Sequence, residues 1–388
     1  MVSHKSRLKF KSLDFALISL ALTLAGMGIV MVYSASMVSS IDRHEVASNY
    51  FFIRQCIYLV AGIIIMIFFT NFNYGAFESP KLSWYIYGMS TILLLAVLLF
   101  GDVKNNARSW FDLGFFSIQP AELSKIFLIL FLSSEYSRRQ NRIENFKWGY
   151  LPPLVYVGLN LFLILLQPDL GGIFIIAVTA FGIFITSGMS WKKLSVIILS
   201  LSLVATIVVS IVIQNPERFM SQTKINRFTG FLKPFETEKE AGYHTVGSLL
   251  AIGSGGITGL GIGQSMQKYG YLPEPQTDFI ASVIAEELGF VGVMAFMVIL
   301  LAIIIKGFRI AGRCHDPLGR MIATGISTMF ATQALVNLGG ATALIPITGV
   351  TLPFVSFGGS SMLLSFICIG ILSNISMSIE RKKHLAMH

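Results

Sequence analysis

Charge is the scarcest ingredient of this sequence. Of its 388 residues only 13% are Asp, Glu, Lys or Arg, about half of the roughly 25% found in a soluble domain. With 54% hydrophobic residues and a mean hydropathy of +0.71, the chain has too little polar surface to wrap its apolar bulk in water. Cysteine is almost missing too. Cys56, Cys314 and Cys368 are too few and too scattered for a disulfide framework or a metal-ligand spacing. The Lys/Arg-bearing connections are short, which leaves no room for a nucleotide-binding domain. Nor is there a convincing internal repeat, such as the inverted halves of many transporters.

What the chain does have is apolar runs of the length needed to cross a hydrocarbon core, about 20 residues each. They predict an all-α polytopic membrane protein with ten spans, at 14–35, 52–71, 83–100, 119–136, 150–166, 171–187, 194–213, 279–305, 320–343 and 360–378. The first run is too long for a signal peptide and lacks a persuasive cleavage site, so it reads as a retained helix. Basic residues gather in alternate connections, beginning with Lys5, Arg7, Lys9 and Lys11 and ending with Arg381, Lys382 and Lys383. The short connections of the other set hold only Arg43, Lys104 and Arg108. By the positive-inside rule both termini are cytoplasmic. The net charge of +9 therefore reports topology, not nucleic-acid binding. The expected organisation is one membrane domain over 1–388, with basic tails at 1–13 and 379–388. A large extracytoplasmic loop at 214–278 separates spans seven and eight. That loop is Gly-rich and is expected to fold back over the bundle as short amphipathic or re-entrant pieces.

The stretch "YLPEPQTDFIASVIAEELGFVG" places acidic residues where an apolar span begins. Pro273 and Pro275 delay the helix, Thr277 is the predicted N-cap and Asp278 falls in the first turn. Asp278 is either a helix-start acid or, at an outward lip near Lys268, Arg218 and Arg227, a general base toward a sugar hydroxyl. Glu286 and Glu287 lie about 12 Å deeper along the helix, and read as partners in buried polar pairs. Glu122 and Lys125 share a helix face at i,i+3, forming either a local pair or part of a wet pocket. Asp169, in "QPDLGG", marks another outer helix end. Arg108 is a candidate for phosphate binding. "GSGGITGLGIGQS" lacks the strand–turn–helix setting of a phosphate loop. Ser360 is suited to cap the last span or to meet an anion there, and Asn337 seeks a partner across helices. Spacing alone fits an enzyme acting on a phosphate-bearing lipid, or equally a lipid transporter.

Five motifs occur in order: "GIVMVYSAS", "NARSWFDLGFFSIQPAELSK", "QPDLGG", "GGITGLGIGQSMQKYGYLPEPQTDFIASVIAEELGFVG" and "PITGVTLPFVSFGGSS". As a set they resemble the FtsW/RodA family of shape, elongation, division and sporulation proteins, over about residues 14 to 378. The resemblance implies ten membrane helices and a peptidoglycan glycosyltransferase that polymerises lipid II on the outer face of the bacterial plasma membrane. The family's essential acid falls on Asp278. Arg108, Lys268, Arg218 and Arg227 become candidates to hold the pyrophosphate. A divalent cation (Mg or Mn) is implied, although no dedicated cage is visible. A class B penicillin-binding protein is implied as transpeptidase partner. Gln276 stands where the family usually has histidine; it can hydrogen-bond substrate but carries no proton at neutral pH. Phe357 replaces the familiar tyrosine. The first and last motifs resemble the division-type branch more than the elongation-type one. A lipid II flippase or a non-catalytic scaffold remains the rival reading.

Overall fold

A computed structural model describes residues 13–42, 45–104, 107–112, 117–143, 151–196, 228–238 and 242–386, with isolated positions between them. The helices are α1 (Phe15–Asp42), α2 (Tyr50–Asn71), α3 (Pro80–Phe100), α4 (Pro120–Arg138), α5 (Leu151–Leu166), α6 (Leu170–Thr186), α7 (Tyr243–Gly255), α8 (Ile280–Arg313), α9 (Pro317–Ala341) and α10 (Gly359–Ala386). Most starts follow simple chemistry. Proline opens α3, α4 and α9, where its missing N–H is harmless. Carboxylates accept from first-turn amides at Asp14→α1, Asp169→α6 and Asp316→α9, at 2.8–3.2 Å.

Among the described residues six helices are long and apolar enough to span a membrane: α1, α2, α3, α8, α9 and α10. α5 and α6 are apolar but have 16 and 17 residues. α4 carries Glu122, Lys125, Glu135 and Arg138 among its 19 residues, which dilutes its hydropathy. The expected seventh span, 194–213, lies almost wholly outside the described residues, as do Arg218 and Arg227. The bundle is layered around α9, whose most apolar window is 78% buried against 28% for α2, α3 and α8. Those outer helices present bare apolar side chains such as Ile64, Phe68, Ile92, Leu99, Val298 and Leu301. Such surfaces suit lipid and would be a liability in water.

Two features depart from the expected all-helical pattern. "GDVKNNARSWFDLGFFSIQP" forms a small antiparallel sheet, β1 (Asp102–Lys104), β2 (Ala107–Asp112) and β3 (Ser117–Ile118), in the order β1-β2-β3. Strands this short are invisible to a hydropathy period. α8 is interrupted at Gly289 (φ 66°, ψ −168°). The interruption leaves backbone groups that the Gly-rich loop after α7 satisfies. Phe290 and Val291 amides donate to Gly256 and Ile257 carbonyls, and Leu260 and Gly261 amides donate to Glu286 and Glu287 carbonyls, all at 2.9–3.2 Å. α7 itself lies against this unit. Ser248 Oγ donates to the Ala341 carbonyl and meets Ser282 Oγ, each at 2.6 Å. The three cysteines are free, and burial pushes the Cys314 thiol up.

Candidate active site

Three consecutive carbonyls position the chain at the lip of α8. Gln276 O accepts from the Phe357 amide (2.8 Å), Thr277 O from Ser356 Oγ (2.8 Å) and Asp278 O from Asn337 Nδ2 (3.3 Å). The partners come from α9 and from the α9–α10 connection, so two motifs 60 to 80 residues apart in sequence are sewn together. Ser356 Oγ also accepts from the Leu352 amide at 2.8 Å, which holds the donor loop in turn. Thr277 is not the N-cap expected. Its amide and hydroxyl return to the Glu274 carbonyl (3.2 and 3.3 Å), and Phe279 takes the cap position. Asp278 therefore stands just ahead of the helix, half-buried, instead of in its first turn.

Asp278 and Phe279 line a narrow cleft of about 10 Å³ together with Asn337 and Gly340 of α9 and Thr348–Val350. Gln276 does not reach this cleft as a ligand contact. It is 1% exposed, its Oε1 accepts from Ser39 Oγ (3.1 Å) and its Nε2 donates to Glu274 (3.0 Å). A neutral amide can take both roles at once, and here it braces the lip against α1.

Lys268 is likewise not an outward cation. Its Nζ is sealed inside, donating to Glu287 Oε1 (2.8 Å), Gly263 O (2.8 Å) and Ser34 Oγ (3.2 Å). Glu286 accepts from Ser265 Oγ (2.5 Å) and the Met266 amide (2.8 Å). Loop amides that suit an anion are thus occupied by the chain's own carboxylate. Both glutamates sit in buried polar contacts, as their depth required.

Glu122 and Lys125 form the local i,i+3 pair, at 2.6 Å, with Lys125 buried. Asp169 caps α6 through the Gly172 amide. Ser360 is not a simple cap of α10. Its hydroxyl accepts from the Gln119 amide (3.0 Å) and faces the Ser117 carbonyl (3.3 Å), stitching β3 and the start of α4 to α10. Arg108 is exposed on β2. Arg54 went unread in the sequence because it falls inside an apolar run. It donates to Gly114 O at 2.8 Å and lies over the Tyr50 ring. Ser34 and Ser39, two buried hydroxyls in an apolar helix, were the other missed signal. Among the described residues no group of three or more His, Cys, Asp or Glu could hold a metal. The described residues thus offer no dedicated cage for a resident divalent ion.

The sequence profile of the FtsW/RodA/SpoVE family, described as cell cycle proteins, matches residues 15–381. The chain is 44% identical over 95% of its length to a Bacillus subtilis relative named "Probable peptidoglycan glycosyltransferase FtsW", of which it covers 92%. It is 36% identical to the stage V sporulation protein E of the same organism, covering 95% of this chain and 98% of that one. Among solved structures, a chain from a peptidoglycan synthase complex that coordinates polymerization and crosslinking superposes with TM-score 0.76 at 28% identity, covering 95% and 98% of the two chains. The rod shape determining protein RodA of Thermus thermophilus does so with TM-score 0.66 at 27% identity, covering 94% and 96%. This multi-pass membrane protein, with its α8 lip sewn to the α9–α10 connection, belongs to the FtsW/RodA/SpoVE family.

Proposed function

We propose that this chain is a peptidoglycan glycosyltransferase of the FtsW type, polymerising lipid II at the outer face of the plasma membrane for septal wall synthesis. Asp278 acts as the general base. Its carboxylate takes the proton of the acceptor sugar's 4-hydroxyl as that oxygen attacks the donor's anomeric carbon. The new glycosidic bond forms with inversion, and the bond to undecaprenyl pyrophosphate breaks, the leaving group keeping the electron pair. The observation that carries this reading is the suture of three carbonyls at residues 276–278, which presents Asp278 on a cleft wall. A general base must be held within hydrogen-bond reach of its proton, and rigid backbone anchoring does that.

Charge on the departing pyrophosphate calls for cations at the rim. Arg108, exposed on β2, is one candidate, and Arg218 and Arg227 of the 214–278 loop are the others. The ten-span topology with both ends cytoplasmic, the extracytoplasmic 214–278 loop and a class B penicillin-binding protein as crosslinking partner belong to the same proposal. A flippase route gains little support from the intramembrane charges. Glu122, Lys125, Lys268, Glu286 and Glu287 are all engaged with one another or with the Gly-rich loop.

The test is reconstitution with the transpeptidase partner and labelled lipid II. Asp278→Asn is expected to lower polymer formation by about 10²- to 10⁴-fold, the usual worth of a positioned base, while partner binding persists. Equal polymer from both proteins removes Asp278 as base. Translocation of lipid without polymer turns the reading to a flippase.

A further inference from the structure

Asn337 is tied at one end of its amide and bare at the other. It is 4% exposed on α9. Its Nδ2 donates to Val350 O (2.8 Å) and Asp278 O (3.3 Å), which uses both N–H groups. Two carbonyl partners also decide which end of the amide is nitrogen. The remaining end, Oδ1, is therefore an acceptor, and it is buried without a donor among the described residues. Buried polar atoms in native proteins are nearly always satisfied, so an orphan calls for a reason. This one belongs to a residue that lines the Asp278 cleft. The cleft's space is about 10 Å³, room for about one water and so for a single hydroxyl group.

We infer that Asn337 Oδ1 is a positioning acceptor for the acceptor sugar. It receives a hydrogen bond from a hydroxyl beside the one whose proton Asp278 removes. The inference rests on the reading of Asp278 given above. One side chain would then set both distances that matter. Its nitrogen fixes the Asp278 backbone, and its oxygen fixes the sugar against it.

The experiment pairs protein and substrate changes. Coupling of labelled lipid II onto short acceptor analogues is measured with the partner-bound protein, using the full acceptor and analogues lacking the 3- or the 6-hydroxyl of the terminal sugar. For wild type, one missing hydroxyl is expected to lower kcat/KM about ten- to hundredfold, the worth of a hydrogen bond to a buried acceptor. Asn337→Ala is expected to lose at least that factor with the full acceptor, because it also frees the Asp278 carbonyl, and nothing further with that analogue. Asn337→Ser, measured the same way, serves if the alanine variant cannot be purified. Losses that multiply, or a wild type indifferent to both hydroxyls, overturn the inference and leave Asp278 as base. A wild type that makes no polymer overturns both.

Discussion

A lysine sealed from water needs an acceptor for each of its three N–H groups, and Lys268 has Glu287, Gly263 and Ser34. Removing one partner of such a pair strands the other charge. Lys268→Met is therefore expected to destabilise the protein by about 3–5 kcal/mol, whereas pairing it with Glu287→Leu should restore most of the loss. Unfolding of the purified protein in detergent, wild type against single and double variants, reads this directly. A single variant as stable as wild type would show that the pair contributes nothing. The depth of Lys268 was not legible in the sequence. Charge patterning tells which side of the membrane a loop faces, but Lys268 lies in a loop that turns back into the bundle. Glu286 and Glu287 were legible as buried partners, since a carboxylate two turns inside an apolar run has few other options. Gln276 misled for a related reason. Its type was read against the family's histidine, while its direction depends on Ser39 of α1.

At the level of elements, α8 and the Gly-rich loop are one unit. Gly289 has φ 66° and faces the backbone of Gly259 and Ile257, while Gly259 has φ +79° and faces the Glu287 carbonyl. A Cβ at either place meets backbone that cannot move without giving up four interlocking hydrogen bonds. Gly289→Val is expected to lower the thermal midpoint sharply, since positive φ alone costs a β-branched residue of order 1–3 kcal/mol. It should also abolish polymer formation. Gly26→Ala supplies the contrast. Its Cβ enters open space within α1, so it should leave stability unchanged or raise it by about 0.5–1 kcal/mol. Matching losses from the two variants would sink the interlock. Hydropathy located α8 well but could not show the break, because both halves keep the same apolar character. The glycines of "GSGGITGLGIGQS" were visible, and their purpose was not. They allow loop backbone to meet helix backbone, not phosphate. The β1–β3 sheet escaped because its strands have two to six residues.

For the whole molecule the question is which end of α8 faces out. Beyond the break at Gly289 the helix runs unbroken from Phe290 to Arg313, about 36 Å by rise, against a hydrocarbon core of about 30 Å. Its ends therefore belong to opposite sides. The Asp278 cleft is at the start. At the finish Lys306, Arg309 and Arg313 line a second cleft of about 170 Å³ with Asp14 and Glu380, where Lys306 pairs with Asp14 at 2.7 Å. Basic clusters stay in the cytoplasm, so the Asp278 cleft should face outward, as the proposed polymerisation requires. Cysteine labelling tests this in a background freed of Cys56, Cys314 and Cys368. Leu344, beside the outer cleft wall, and Leu385, near the end of α10, are 76% and 79% exposed, so cysteines there would be open to reagent. Leu344→Cys is expected to react with a membrane-impermeant maleimide in intact cells. Leu385→Cys should react only after the membrane is permeabilised. The opposite pattern would put Asp278 in the cytoplasm and separate it from an extracellular polymerisation. Labelling of both sites from outside would break the pairing of α8's two ends with two sides, and with it the positive-inside assignment on which the outward cleft depends.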